Sequence, residues 1–301
     1  MKNSLVNYVL ILILTCCLGS TFLFISISLD SFNPIASGSG RVILAAIFSV
    51  IFTFILGQSL PSNIKEWVFA FIYGVFFLSI PFSIIPYSLK FLDTSEVAIY
   101  LASIPLFILI LARIFLKESI SLKKWFGFII GIVGLIFLSG PENFIYKKDY
   151  NYLPPLLCIL ASILLAGGGI FIQKISKSSP LQITSASFLI GAIFVLPLFL
   201  LNLPNHFPSK YSIFGLISVG IFSTFFGSLV RFILIKRAGA VFTSINGFTS
   251  PICSTLLGVL ILNEEFTILR LISFALILFG VFVAQDFDKF IKEKLLIVKN
   301  S

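Results

Sequence analysis

Charged side chains are scarce in this chain. Asp, Glu, Lys and Arg make up 11% of its 301 residues, where an ordinary soluble protein carries about a quarter. That shortage excludes a soluble globule, which relies on charge to solvate its surface. Histidine is scarcer still: the single His206 lies between apolar runs without a partner, which excludes a histidine-based metal centre or acid/base pair. The four cysteines, Cys16, Cys17, Cys158 and Cys253, sit inside apolar segments without metal-ligand spacing, so they read as buried thiols. Long polar connections are missing as well. The longest runs from Gly140 to Tyr152, too short for the extramembrane surface of a scaffold or receptor. An enzyme buried in a membrane needs converging nucleophiles, bases or ligands, and one histidine with few buried carboxylates does not supply them. The reading is therefore a protein that is not an enzyme and needs no cofactor or metal.

What the chain has in abundance is apolar length. Hydrophobic residues make up 58% of it, with a mean hydropathy of +1.11. At about 20 apolar residues per span, this length accommodates roughly ten helices joined by short connections. The runs are long and do not alternate, which excludes a transmembrane barrel and leaves helices as the spanning structure that satisfies its own backbone. The expected fold is an all-α integral membrane protein with spans near 8–28, 36–57, 67–88, 95–116, 124–140, 153–173, 181–202, 212–235, 240–262 and 267–286. Lys2 followed by an apolar run resembles a signal peptide, but the run continues from Tyr8 to about Ser28, too long for that purpose, and reads as a retained first span.

The formal net charge of +9 would suggest nucleic acid in a soluble protein; here it tests orientation. With a cytoplasmic N-terminus, thirteen basic residues fall inside, among them Lys65, Lys117, Lys123, Lys124, Lys236, Arg237 and the tail lysines, against five outside: Lys90, Lys147, Lys148, Lys210 and Arg270. The asymmetry predicts both termini in the cytoplasm.

A duplication runs through the sequence. "PLFILILARIFLKESIS" and "PICSTLLGVLILNEEFT" place Pro105 and Pro251 at an offset of 146 residues, and the same offset pairs Pro34 with Pro180, Gly74 with Gly220, Lys90 with Lys236, Glu118 with Glu264 and Gly134 with Gly280. Agreement of these less common residues at one ungapped offset indicates two copies of one unit. Each copy holds five spans, and an odd number forces the second to enter the membrane from the opposite side. The predicted organisation is a first repeat at 1–140, an outer connection at 141–152, a second repeat at 153–286 and a basic tail at 287–301. Inverted repeats are a recurrent device of secondary transporters, because two similar halves can exchange conformations around a central site.

Particular stretches resemble a known family. "LGSTF" (Leu18 to Phe22), Pro34 with Arg41 in "PIASGSGR", "SLKFLDTSEVAIYLASIPLF" with "LKES" and "GFIIGIVGLIFL", and the second-half "RAGAVFTSINGFTSPICSTLLGVLILNEE" with "LILFGVFVA" together resemble the drug/metabolite transporter superfamily, in its ten-span EamA branch with two EamA repeats. Leu18 stands where that pattern usually carries tryptophan. The resemblance covers nearly the whole chain. It implies a metabolite transporter of the cytoplasmic inner membrane whose cavity draws on both halves, with spans five and ten peripheral. It also suggests an amino acid or related amphiphilic solute; nucleotide-type solutes, or a channel or scaffold without carrier activity, are the alternatives.

Within the spans, Glu96, Tyr100 and Ser103 fall on one helical face, and the repeat places Phe242, Asn246 and Thr249 at the matching positions. That shared face is the expected cavity lining, with helix-to-helix bonding as the competing role. Arg41 lies well inside span two, where a charge needs protein, water or a ligand anion beside it. Thr224, Ser228 and Arg231 form a second polar face in span eight. The expected substrate-binding residues are thus Arg41, Glu96, Tyr100, Ser103, Asn246, Thr249, Ser228 and Arg231. Pro105 and Pro251 are expected hinges, since proline removes a helical hydrogen bond. Glu118 and Glu264 read as matched caps or bridges, and Gly127, Gly131 and Gly134 as a close-packing stripe. Expected partners are a small-molecule substrate and membrane lipids, without nucleic acid; coupling to protons or to exchange, and assembly as a homodimer, stay open.

Overall fold

The computed structural model describes residues 2–115, 117, 120–138, 151–172, 179–243 and 245–284. Most of the 141–152 connection, the 287–301 tail and Glu118 lie outside the described residues, as does the side chain of Phe242. The described residues form helices and turns without strands, arranged as ten spans. Span 1 is Lys2–Gly19 continued by Thr21–Ser28; span 2 is Pro34–Ile55; span 3 runs through Ile64–Ile72, Tyr73–Ser79 and Ile80–Ser88; span 4 is Thr94–Leu101 with Ile104–Phe115; span 5 is Leu122–Leu138. Span 6 is Leu153–Ile172; span 7 is Pro180–Leu201; span 8 runs through Lys210–Ser218, Val219–Phe226 and Gly227–Thr243; span 9 is Asn246–Ile261; span 10 is Ile268–Ala284. Seven of these stretches are long and apolar enough to cross a membrane alone, while Asn246–Ile261 and Ile268–Ala284 are shorter apolar helices.

Local chemistry explains the starts. Pro34 and Pro180, the matched prolines, both occupy first-turn positions, where their missing N–H costs nothing. Asn33 adds a cap, its Oδ1 accepting from the Ala36 amide at 2.8 Å, and Ser209 caps span 8 by accepting from the Ser212 amide at 3.1 Å. The repeat also survives in an unusual backbone. Spans 3 and 8 each contain a π-helical segment, beginning at Tyr73 and at Val219, positions that the 146-residue offset superimposes.

The two halves interlock through an approximate two-fold axis. Span 2 packs on span 7, span 5 on span 10 and span 4 on span 9, each pair being its own mate under the exchange of halves. Span 1 packs on spans 8 and 9, and span 6 correspondingly on spans 3 and 4. This is the packing of two inverted five-helix units. Glycines set the closest approaches. A Cβ at Gly74 would strike the Ser187 carbonyl of span 7, and one at Gly220 would fall 3.3 Å from the Arg41 carbonyl of span 2; these are mate contacts. Between spans 5 and 10, a Cβ at Gly127 would lie 2.6 Å from the Gly280 oxygen, and Gly134 faces Ile277, so the stripe does act in packing.

Three spans differ from the sequence reading. Span 1 steps at Ser20 and span 4 at Ala102–Ser103, where continuous helices were expected. Span 8 continues to Thr243, taking residues expected at the start of span 9. The cause is visible in the mate position: Asp93 and Glu96 form a capping box that starts span 4, but their counterparts are Gly239 and Phe242, which carry no capping oxygen.

Candidate functional site

Arg41 stands seven residues past Pro34, about 10 Å along the axis of span 2 at 1.5 Å per residue, and is only 4% exposed. Its Nε donates to Thr224 Oγ1 at 2.6 Å, and its guanidinium carbon lies 3.9 Å from the centroid of the Phe82 ring, a cation–π contact. Thr224 belongs to the π segment of span 8. There its hydroxyl donates to the Val219 carbonyl five residues back, at 2.7 Å, which leaves the oxygen's lone pairs for Arg41. Nη1 of Arg41 is buried and finds no acceptor among the described residues, and the same holds for the hydroxyls of Ser79 and Ser223. Ser79 stands one turn before Phe82 on span 3, and Ser223 precedes Thr224. The carboxylates of Asp93 and Glu96 pair with Arg270 and not with Arg41. Since Arg41 and Phe82 belong to the first half and Thr224 to the second, the guanidinium ties the halves together deep in the membrane.

The span 8 face continues from this point toward the membrane face that holds the N-terminus. Ser228, one turn beyond Thr224, is half-buried, and Arg231 is exposed. The other expected face divides between two seams. Tyr100 and Ser103 are enclosed; Ser103 Oγ donates to the Tyr100 carbonyl at 2.6 Å, and Ser162 Oγ of span 6 donates to the same oxygen at 3.3 Å. Asn246 and Thr249 instead meet span 1, where Thr15 Oγ1 lies 2.6 Å from Thr249 Oγ1 and donates to Asn246 Oδ1 at 3.4 Å. Thr15 and Thr249 form part of an apolar groove of about 440 Å³, together with Leu12, Cys16, Ile252, Cys253, Leu256 and Leu257.

Glu96 has protein partners. Its Oε2 accepts from the Asp93 amide at 3.2 Å and its Oε1 lies 3.3 Å from Arg270 Nη2. The same Nη2 reaches Asp93 Oδ2 at 2.7 Å. Beside them, Glu264 accepts from the Thr94 amide and Thr94 Oγ1, each at 2.6 Å, and from the Ser95 amide at 2.9 Å. A carboxylate from the end of span 9 therefore caps span 4; a capping or bridging task was expected of it toward the next span, and the span it caps is instead the mate of its own. Pro105 opens the second segment of span 4, immediately after the step, whereas Pro251 lies within the continuous helix of span 9.

Three contributors escaped the sequence reading. Phe82 is one phenylalanine among 36, and nothing local distinguishes it. Ser79 is equally plain in sequence. Arg270 counted only as loop charge, although its position three residues after the Thr267 hydroxyl, whose oxygen accepts from the Arg270 amide at 3.3 Å, is the pattern of a helix start.

Comparison with known proteins decides the family. The model described as "EamA-like transporter family" matches residues 5–140 and 153–284. The chain belongs to this family. The two matched stretches coincide with the two interlocked halves. An uncharacterized transporter of Archaeoglobus fulgidus is 28% identical over 267 residues, covering 88% of this chain and 93% of that protein. The uncharacterized inner membrane transporter YedA of Escherichia coli is 23% identical over 268 residues, with coverage of 87% and 85%. A crystal structure with 16% sequence identity superposes with a TM-score of 0.65, covering 94% of this chain and 96% of its own, and so shares the fold. This EamA-like protein is a multi-pass membrane protein of a transporter family, with a small-molecule substrate and a lipid environment. The names point to transporters, not to enzymes.

Proposed function

We propose that this EamA-like protein is a secondary carrier that moves an amino acid or related amphiphilic solute across the cytoplasmic membrane by alternating access, with both termini in the cytoplasm. The units 1–140 and 153–286 rock against each other, and the step beside Pro105 and the helix around Pro251, where proline removes a backbone hydrogen bond, absorb the change. Arg41, with Thr224 and Phe82 around it, receives an anionic group of the solute; Ser228 and Arg231 flank the route along span 8. Glu96, Tyr100, Ser103, Asn246 and Thr249 act at the seams that slide, Glu96 holding span 4 against span 10, Tyr100 and Ser103 lying at the seam of spans 4 and 6, and Asn246 and Thr249 holding span 9 against span 1.

The observation that carries this reading is the Arg41 guanidinium, buried at a junction of both halves with a free Nη1 and no carboxylate beside it among the described residues. A buried cation without a counter-ion is costly, and a solute carboxylate that reaches it supplies the missing charge. Because Arg41 also bonds Thr224 across the halves, a ligand competing for it would loosen that tie, which links binding to movement.

The test is counterflow by the purified protein in proteoliposomes, using labelled pools of amino acids, other carboxylates and organic cations, with and without a pH gradient. A saturable flux of carboxylate-bearing solutes that is lost in Arg41→Gln supports the proposal. A flux confined to cations, or one indifferent to Arg41→Gln, refutes it.

A further inference from the structure

The turns before spans 2, 4, 8 and 10 share the membrane face opposite the N-terminus, the outer face under the proposed orientation. There the start of span 4 meets the end of span 9 and the start of span 10. The packing is close enough that a Cβ at Gly258 would lie 2.5 Å from both Thr94 Oγ1 and Glu264 Oε2. Three carboxylates converge on this junction. Glu264 caps span 4 with three hydrogen bonds, and Arg270 pairs with Asp93 and Glu96 while its Nη1 donates to the Glu265 carbonyl at 2.5 Å. Arg270 and Glu96 are well shielded, with 17% and 19% of their side chains exposed. The first half contributes Asp93, Thr94, Ser95 and Glu96, and the second contributes Glu264 and Arg270, so every one of these cross-junction bonds joins the two halves.

The approximate two-fold axis assigns a counterpart on the opposite face. The offset of 146 maps Glu264 onto Glu118 and Arg270 onto Lys124, but Asp93 onto Gly239 and Glu96 onto Phe242. In sequence, the mate positions keep one carboxylate and one cation and lack both acids that hold Arg270. Two inverted halves that exchange conformations would close one junction as they open the other. Unequal closures then bias the equilibrium.

We propose, resting on the carrier reading above, that Asp93, Glu96, Glu264 and Arg270 form the latch of one gate, and that its charge asymmetry holds the unloaded carrier closed at this face. The latch acts on the population of states and not on the solute. Substrate reaching the central site must outweigh it before the face opens.

The experiment uses the full chain in lipid nanodiscs with the native cysteines replaced by alanine. Spin labels go on exposed Lys90→Cys and Ile268→Cys, which flank the latch, and double electron–electron resonance reads their separation. We expect a predominantly short distance without substrate, a rise of roughly tenfold in the long-to-short ratio in Arg270→Gln, the size of one shielded charge-assisted contact, and return toward the parent distribution in Arg270→Lys. Gly239→Asp combined with Phe242→Glu places acids at the two mate positions in the second half and should raise the long-distance population in an otherwise intact latch, so the test does not depend on one destabilised variant. A two-population distribution unchanged in all three variants overturns the latch. A single fixed distance in the parent and in all variants, with or without the amino-acid pool of the counterflow test, overturns the carrier reading beneath it as well.

Discussion

Replacing Arg41 by methionine separates a structural arginine from a functional one. The substitution removes the 2.6 Å bond to Thr224 and the contact with the Phe82 ring. A hydrogen bond to a charged group is worth about 1.5–3 kcal/mol, and a shielded cation–π contact about 2 kcal/mol. Against that loss stands relief of the desolvation of a guanidinium whose Nη1 has no acceptor among the described residues, a penalty of several kcal/mol per buried ion. Thr224 is not stranded by the change, because its hydroxyl still donates to the Val219 carbonyl at 2.7 Å. Methionine fills much of the arginine stem's volume with an adaptable apolar chain. The terms nearly cancel, and the net change is expected between zero and about 2 kcal/mol of added stability, as in other replacements of buried charge by apolar groups. Thermal unfolding in detergent should therefore give a Tm at or above that of the parent, while counterflow in proteoliposomes falls to background. A variant that unfolds more than about 4 °C earlier, the scale of ~2 kcal/mol in a chain of this size, and that transports in proportion to its folded fraction, would refute the argument and make Arg41 a packing residue.

Further expectations concern packing, capping and orientation. Gly127→Ala places a Cβ 2.6 Å from two backbone atoms of span 10, Gly280 O and Ala284 N, and should cost about 1–3 kcal/mol; Gly169→Ala, whose nearest neighbour would be Ile108 Cδ1 at 3.7 Å, should leave Tm unchanged or raise it. Glu264→Ala strands the Thr94 and Ser95 amides at the head of span 4 and should lower stability by about 1–3 kcal/mol, measured as the same Tm shift. With the native cysteines replaced by alanine, Lys65→Cys should react with a membrane-impermeant maleimide only in inverted vesicles and Lys210→Cys only in intact cells; the reverse pattern would invert the proposed topology.

The fold was largely legible because its determinants are residues with backbone consequences. Pro34 and Pro180 mark helix starts, Gly74 and Gly220 mark close crossings, and each pair keeps one offset, so the duplication announced the inverted architecture before any contact was known. The internal steps were not legible. Ser20 and Ala102 carry no helix-breaking character in sequence, and a π segment is a matter of hydrogen-bond register that residue types do not specify. The polar contacts were legible as inventory and not as pairs. Arg41 and Thr224 are separated by 183 residues, and Glu264 and Thr94 by 170; helical periodicity relates neighbours within one span and is silent across that distance.

The same limit explains why the Glu96, Tyr100 and Ser103 face was expected in a cavity. Periodicity identifies a polar face but not what stands opposite it; here Glu96 bonds the Asp93 amide and Arg270, and Ser103 donates to the Tyr100 carbonyl of its own span, which Ser162 of span 6 also reaches. The duplicated sequence offers a better guide once the mates are aligned. Positions kept in both copies, such as the paired prolines and glycines, serve the packing that both orientations share. Positions where the copies diverge must serve something only one orientation needs. Arg41 is matched by Ser187, Asp93 by Gly239 and Glu96 by Phe242. A symmetric pair of halves would treat the two faces of the membrane alike. These unmatched charges distinguish the faces, so directionality and solute chemistry are to be sought where the repeat is broken and not where it is kept.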